Sequence, residues 1–160
     1  MAEENSQFLK FSPAPDGLCK YKDFMKHFVV LETSADVTAQ GEGSVPKIEP
    51  FQFYIRGGNT HVQTLQQLAR GNQKTKLAKA TFTRCVYIND ARKPVLVMDL
   101  EGITLKNVKS AQMPGDALPC ISFLLEATKI KWKSTDYDTK GSILTSVGPT
   151  TWDFEAGEFT

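Results

Sequence analysis

Apolar positions along this chain alternate more often than they recur at helical spacing. The clearest run is Phe51, Phe53 and Ile55 on one face with Gln52, Tyr54 and Arg56 on the other, the period-2 signature of a half-buried strand. The β-branched run Phe28 to Val37 predicts a strand pair or one long bent strand. Ala80, Phe82, Val86 and Ile88 share a face broken at Arg84. Asn89-Asp90-Ala91-Arg92 then supplies the turn that brings Val95 to Leu100 back as a hairpin partner. Ile103 to Val108 alternates until it slips at Asn107, as at a bulge. Ile121 to Trp132 is long and changes face midway, which predicts one end serving the core and the other an interface. A polar loop, Lys133 to Gly141, leads into a final hairpin-like stretch, Ile143 to Phe154.

One segment has helical spacing. Val62, Leu65, Leu68 and Ala69 form a single stripe, Thr60 followed by Gln63 fits a capping box, and Gly71 is placed to close the helix. Before the first long strand, Pro13, Pro15 and Gly17 flank Phe8, Leu9 and Phe11, which predicts an extended arm packing on the domain or on a neighbour. Thr38 to Pro50 holds two glycines and two prolines with few large apolar residues, and reads as a long protruding loop. Met113-Pro114-Gly115-Asp116 reads as a turn. Seven or more short strands and one helix predict a mainly β sandwich or barrel. We expect a single domain, residues 1–27 being an N-terminal arm and first strand and 28–160 the main β body.

With 160 residues, 41% hydrophobic and 23% charged, the composition is that of a folded globular protein. Nineteen basic against eighteen acidic residues leave a formal charge of +1, which gives no electrostatic footprint for nucleic acid. The start, Met-Ala-Glu-Glu-Asn-Ser-Gln, has neither a basic nor an apolar region, so no conventional signal peptide is expected. No stretch approaches the length of a membrane span, so no membrane insertion is expected.

Signatures of catalysis are missing from the sequence: no G-x-S-x-G, no H-E-x-x-H and no phosphate loop. Asp99 and Glu101 point the same way on a strand and read as part of a charged face rather than an acid/base pair. Cys19, Cys85 and Cys120 form no C-x-x-C pair and read as buried free thiols. His27 and His61 have no ligand partner at i+3 or i+4, so no metal or cofactor is expected. Tyr21, Phe24, Phe28, Tyr54, Tyr87, Trp132 and Trp152 lack the basic groove of a base-stacking platform; only Lys74, Lys76, Lys79 and Arg84 cluster.

The order of these elements resembles the haemolysin-coregulated protein (Hcp) family, the inner-tube proteins of type VI secretion systems. The likeness is carried by the helix-then-strand block Leu65 to Thr83 and by Leu100-Glu101-Gly102-Ile103-Thr104-Leu105-Lys106-Asn107-Val108-Lys109-Ser110. It continues in the strand from Ile121-Ser122-Phe123 to Ile130-Lys131-Trp132 and in the closing Gly141 to Thr151-Trp152-Asp153. That resemblance implies a β-barrel-like pair of packed sheets with one short helix, assembling as hexameric rings that stack into a tube. It also implies a spike protein, a contractile sheath and secreted effectors as partners, and a cytoplasmic protein later secreted without a signal peptide. A compact domain of this length is ~40 Å across, so six in a ring leave a hole about one subunit wide. The loop residues Gln40, Gly41, Glu42, Gly43, Ser44, Val45, Pro46, Lys47 and Ile48 are then the expected subunit interface. A phage tail-tube subunit is the alternative of the same class, and a monomeric small-molecule-binding β-barrel the alternative of another.

Overall fold

The computed structural model describes residues 6–12, 15–34, 49–69 and 79–160. Among them ten strands run in the hydrogen-bonded order β10-β9-β8-β5-β4-β1-β2-β3-β7-β6, with every pairing antiparallel. They are β1 (Gln7–Ser12), β2 (Phe28–Thr33), β3 (Phe51–Arg56), β4 (Lys79–Ile88), β5 (Ala91–Glu101), β6 (Thr104–Ala111), β7 (Cys120–Glu126), β8 (Lys129–Tyr137), β9 (Ile143–Asp153) and β10 (Glu158–Phe159). The helix α1 spans Asn59–Ala69 and packs on β6.

The sheet folds over so that its two halves face each other across a core of aromatic rings. Phe53 of β3 lies 5.7 Å from Phe82 of β4, and Phe11 of β1 lies 6.1 Å from Phe123 of β7. All four are fully buried, so the interior is filled by side chains. On one side the halves are joined by β1, which pairs with β4 and with β2. On the other side β5 continues into β6 and β7 into β8 at a shared corner. There the Thr128 amide donates to the Glu101 carbonyl at 3.0 Å. Gly102 sits at φ +60°, and a Cβ on it would lie 2.0 Å from Thr128 Oγ1. Only glycine tolerates both the left-handed backbone and that approach.

Several sequence expectations are realised. Asn89 and Asp90 both have positive φ and join β4 to β5 as a two-residue hairpin. Asn107 has φ 55°, and the β6–β7 register shifts between Lys106 and Lys109. The Asp116 amide bonds to the Met113 carbonyl with Gly115 at φ 78°, the turn expected of Met-Pro-Gly-Asp. The helical stripe buries Val62 and Leu65, with Leu68 and Ala69 packed against the core.

Other expectations are corrected. The helix begins at Asn59, and the Gly58 carbonyl accepts from the His61 and Val62 amides. Three residues on from Gly58 stands His61, whose ring takes the Gly58 amide at 3.4 Å; the Thr60–Gln63 box is therefore out of register. Val86 keeps the face of Phe82 but is not buried with it. Phe82 enters the main core, whereas Cys85 is buried in a separate cluster and Val86 is exposed. Of the two readings of Phe28 to Val37, the described part follows the bent strand, Phe28–Thr33 with a bulge between Val30 and Glu32, while residues 35–37 lie outside the described residues. The face change within Ile121–Trp132 is the corner between β7 and β8. The polar loop is shorter than expected, because β8 runs on to Tyr137 through cross-strand bonding to β9 without burial.

The segment read as an arm places β1 in the middle of the sheet, where Phe8, Leu9 and Phe11 are all fully buried. Adjacent buried residues need cover on both faces of a strand. Leu9 and Phe11 face the main core, while Phe8 joins Cys19, Phe24 and Cys85 in a second cluster. That cluster is roofed by residues 15–27, including the 3-10 turn Lys22–Phe24. Phe8 stacks on Phe24 with centroids 4.0 Å apart. The roof closes tightly: the Gly17 amide bonds to the Lys26 carbonyl at 2.7 Å, and a Cβ at Gly17 would lie 2.2 Å from the His27 carbonyl oxygen.

Candidate assembly surface

A sheet that is not closed leaves strands whose outer main-chain groups must be protected or paired. Here the two ends of the sheet are treated differently. β6 carries its bulge at Asn107 and exposed lysines at Lys106 and Lys109, and Lys106 pairs with Glu126 at 3.0 Å. α1 lies against it, and Gln66 Nε2 donates to the Val108 carbonyl at 3.0 Å. An open groove of about 440 Å³ between them is lined by Gln66, Ala69, Leu105, Lys106, Asn107 and Val108.

Along most of its length β9 carries no lysine, and its irregularities are two shifts of register against β8, between Thr145 and Ile143 and between Thr150 and Val147. β10 pairs with it only at Trp152 and Asp153, and Thr160 exchanges two main-chain bonds with Thr151. Among the described residues, Ile143 to Thr150 pair only with β8. From Ile143 to Trp152 the strand carries no charge. Ile143, Leu144 and Val147 are 64%, 66% and 64% exposed. Near its root the strand is anchored by an aromatic chain, Trp132 against Trp152 at 4.9 Å and Trp152 against Phe159 at 6.1 Å. At its tip, Asn89 Nδ2 donates to the Lys140 carbonyl at 2.9 Å and Tyr137 donates to the Pro94 carbonyl at 2.8 Å. The β8–β9 ribbon is thus held at both ends and presents a bare edge between them.

The expected interface residues Gln40, Gly41, Glu42, Gly43, Ser44, Val45, Pro46, Lys47 and Ile48 lie outside the described residues, as do Gly71, Lys74 and Lys76. Sequence reasoning read Ile143–Phe154 as hairpin-like, whereas the structure has a single strand, Ile143–Asp153, whose exposure that reading missed. The signal for it was available: ten consecutive uncharged residues without the in–out alternation of a half-buried strand.

Groups capable of chemistry are dispersed. Asp99 lies 3.6 Å from Lys79 and accepts from Thr81, and Glu101 lies 3.9 Å from Lys129, all on the outer face of β4, β5 and β8. Cys19, Cys85 and Cys120 are free and buried. Burial pushes the Cys85 thiol up to about 11, against the opposing pull of Arg92, and such a thiol is a poor nucleophile at neutral pH. His27 Nδ1 contacts the Met25 carbonyl at 3.1 Å, and its ring packs on Phe24. Five of the seven aromatics considered as a platform are divided among separate clusters: Phe28 in the core, Phe24 and Tyr21 around Phe8, Trp132 and Trp152 beside β10.

Arg56 fastens the β6–β7 connection. It pairs with Asp116 and donates to the carbonyls of Leu118 and Pro119 at 3.1 and 3.2 Å. The bond from Arg56, helped by the Leu118 amide, holds the Asp116 carboxyl below its ordinary value.

No known sequence family and no curated protein match the chain by sequence. Solved structures match its fold. A "type six secretion system protein" superposes with TM-score 0.80 at 13% identity, over 97% of this chain and 99% of that one. Hcp1 from Salmonella typhimurium gives 0.73 at 12% identity, over 97% and 98% of the two chains. The secreted protein Hcp3 from Pseudomonas aeruginosa gives 0.59 at 13%, over 94% and 97%. The chain therefore has the mainly β fold of the Hcp proteins. No helix among the described residues is long and apolar enough to cross a membrane.

Proposed function

We propose that this chain is a divergent Hcp-type subunit of a type VI secretion tube, with a structural rather than catalytic role. Copies form hexameric rings that stack, and secreted effectors travel in the lumen. The spike and the contractile sheath are its further partners, and the protein is exported from the cytoplasm. The observation carrying this reading is the extent of the fold likeness, which takes in 97% of this chain and 99% of its neighbour and so concerns the architecture as a whole. The phenylalanine-filled interior weighs against a ligand-holding barrel, because Phe53 and Phe123 stack 5.5 Å apart where such a barrel keeps its cavity.

Light scattering and electron micrographs of the purified chain test the reading. Annular particles of about six times the 17.8 kDa chain mass are expected, and a monomer unchanged by crosslinker overturns it. The loop Gln40 to Ile48 is the proposed tongue between subunits. Val45→Asp with Ile48→Asp should weaken assembly and leave the melting temperature nearly intact, since the charges become buried only in the assembled state.

A further inference from the structure

We infer that the bare stretch of β9, Ile143 to Val147, pairs antiparallel with the same stretch of a second copy across a two-fold axis centred on Thr145. This goes beyond the ring reading. Subunits of a ring meet head to tail through two different surfaces, whereas a strand that pairs with itself makes an isologous contact. Such a contact joins two free chains or two assemblies.

Three observations select a second copy's β9 as the occupant. First, the edge is open only over a defined length. β10 and Thr160 occupy the outer side of β9 from Thr151 to Asp153, and Pro149 has no amide to give to an incoming strand. An arriving strand is therefore confined to the residues before Gly148. Second, that length is self-complementary. Antiparallel pairing about Thr145 sets Ile143 opposite Val147, Leu144 opposite Ser146 and Thr145 opposite Thr145. An apolar pair, a mixed pair and a hydroxyl pair result, with no like charges opposed. Third, the other end of the sheet is a poor complement. β6 is lysine-bearing and covered by α1, and β9 has no acidic side chain between Ile143 and Thr151 to meet its lysines.

Five residues per chain bury little surface, well under the ~1,200 Å² of a stable standard interface. The contact is accordingly weak and depends on concentration, and its test traps it. Paired residues of antiparallel strands have Cα atoms ~4.5–5.5 Å apart, within the range a disulfide spans. Thr145→Cys on the full chain should therefore form a disulfide-linked dimer in air, seen by non-reducing electrophoresis and intact mass. The wild-type chain, with its three buried thiols, should not. Adding Ser146→Pro to the Thr145→Cys chain removes a main-chain donor at the edge and should reduce the linked fraction at least tenfold, with an unchanged circular dichroism spectrum showing that the fold survives. Self-association of the Thr145→Cys chain without a disulfide cross-link, or equal cross-linking with and without the proline, overturns the inference. So does a Thr145→Cys chain that stays folded and monomeric. The ring reading is judged separately. Rings without the cross-link sink the two-fold contact alone, and a cross-linked dimer that never forms rings sinks the ring alone.

Discussion

β3 and β9 are both antiparallel strands, yet their side chains have opposite fates. In β3, Phe51, Phe53 and Ile55 are all buried between β2 and β7. In β9 none of eleven residues is buried. Main-chain pairing is therefore enough to hold a strand in this protein, and burial is a separate matter decided by what lies across the sheet. β3 contributes to the stability of the fold, and β9 offers its groups to something outside it.

That contrast is tested most severely by truncation in β3. Phe53→Ala removes a ring that contacts Phe82 and Phe123 and should cost about 3–5 kcal/mol, read as a lower denaturation midpoint. A loss under ~1 kcal/mol would mean that the core is not continuous through β3.

Next comes the corner that lets one sheet become two facing halves. Gly102→Ala meets both a φ of +60° and Thr128 Oγ1, and should destabilise by ~1–3 kcal/mol. Adding Thr128→Ala should recover part of the loss, because it relieves the clash and leaves the backbone strain. Full recovery would show that the left-handed conformation costs nothing.

A smaller effect follows from Arg56 and Asp116. The folded-state carboxyl of Asp116 lies below its ordinary value, chiefly through the bond from Arg56. Its contribution is therefore complete above the unfolded pKa of ~3.9 and is lost as pH falls through the depressed folded value. Asp116→Asn should flatten the fall of melting temperature below pH ~4 relative to wild type. Identical acid profiles would mean that the pair contributes nothing measurable.

The smallest effect belongs to β9. Leu144→Asp, at a side chain 66% exposed, should change stability by no more than ~0.5 kcal/mol. A loss comparable to that of Phe53→Ala would erase the distinction between the two strands.

Most of the elements are written in local pattern. Alternation in Phe51–Arg56, the stripe from Val62 to Ala69, the Asn89-Asp90 turn and the slip at Asn107 are consequences of side-chain geometry within a few residues, and each appears where the pattern put it. Family likeness was also legible there, in the order of strand, helix, glycine and aromatic. Environment was not. Phe8 and Leu9 looked like an arm because Pro13, Pro15 and Gly17 follow them, and only the roof of residues 15–27 gives both adjacent side chains a place. The run from Ile121 to Trp132 was one strand by composition and became two because Gly102 and Thr128 bring both chains round the same corner. Whether a strand lies in the middle of a sheet or at its edge depends on contacts between residues far apart in the chain. Local pattern therefore placed extended, hairpin-like chain at Ile143 to Phe154, and only the order of strands across the folded sheet made it one strand with an open edge.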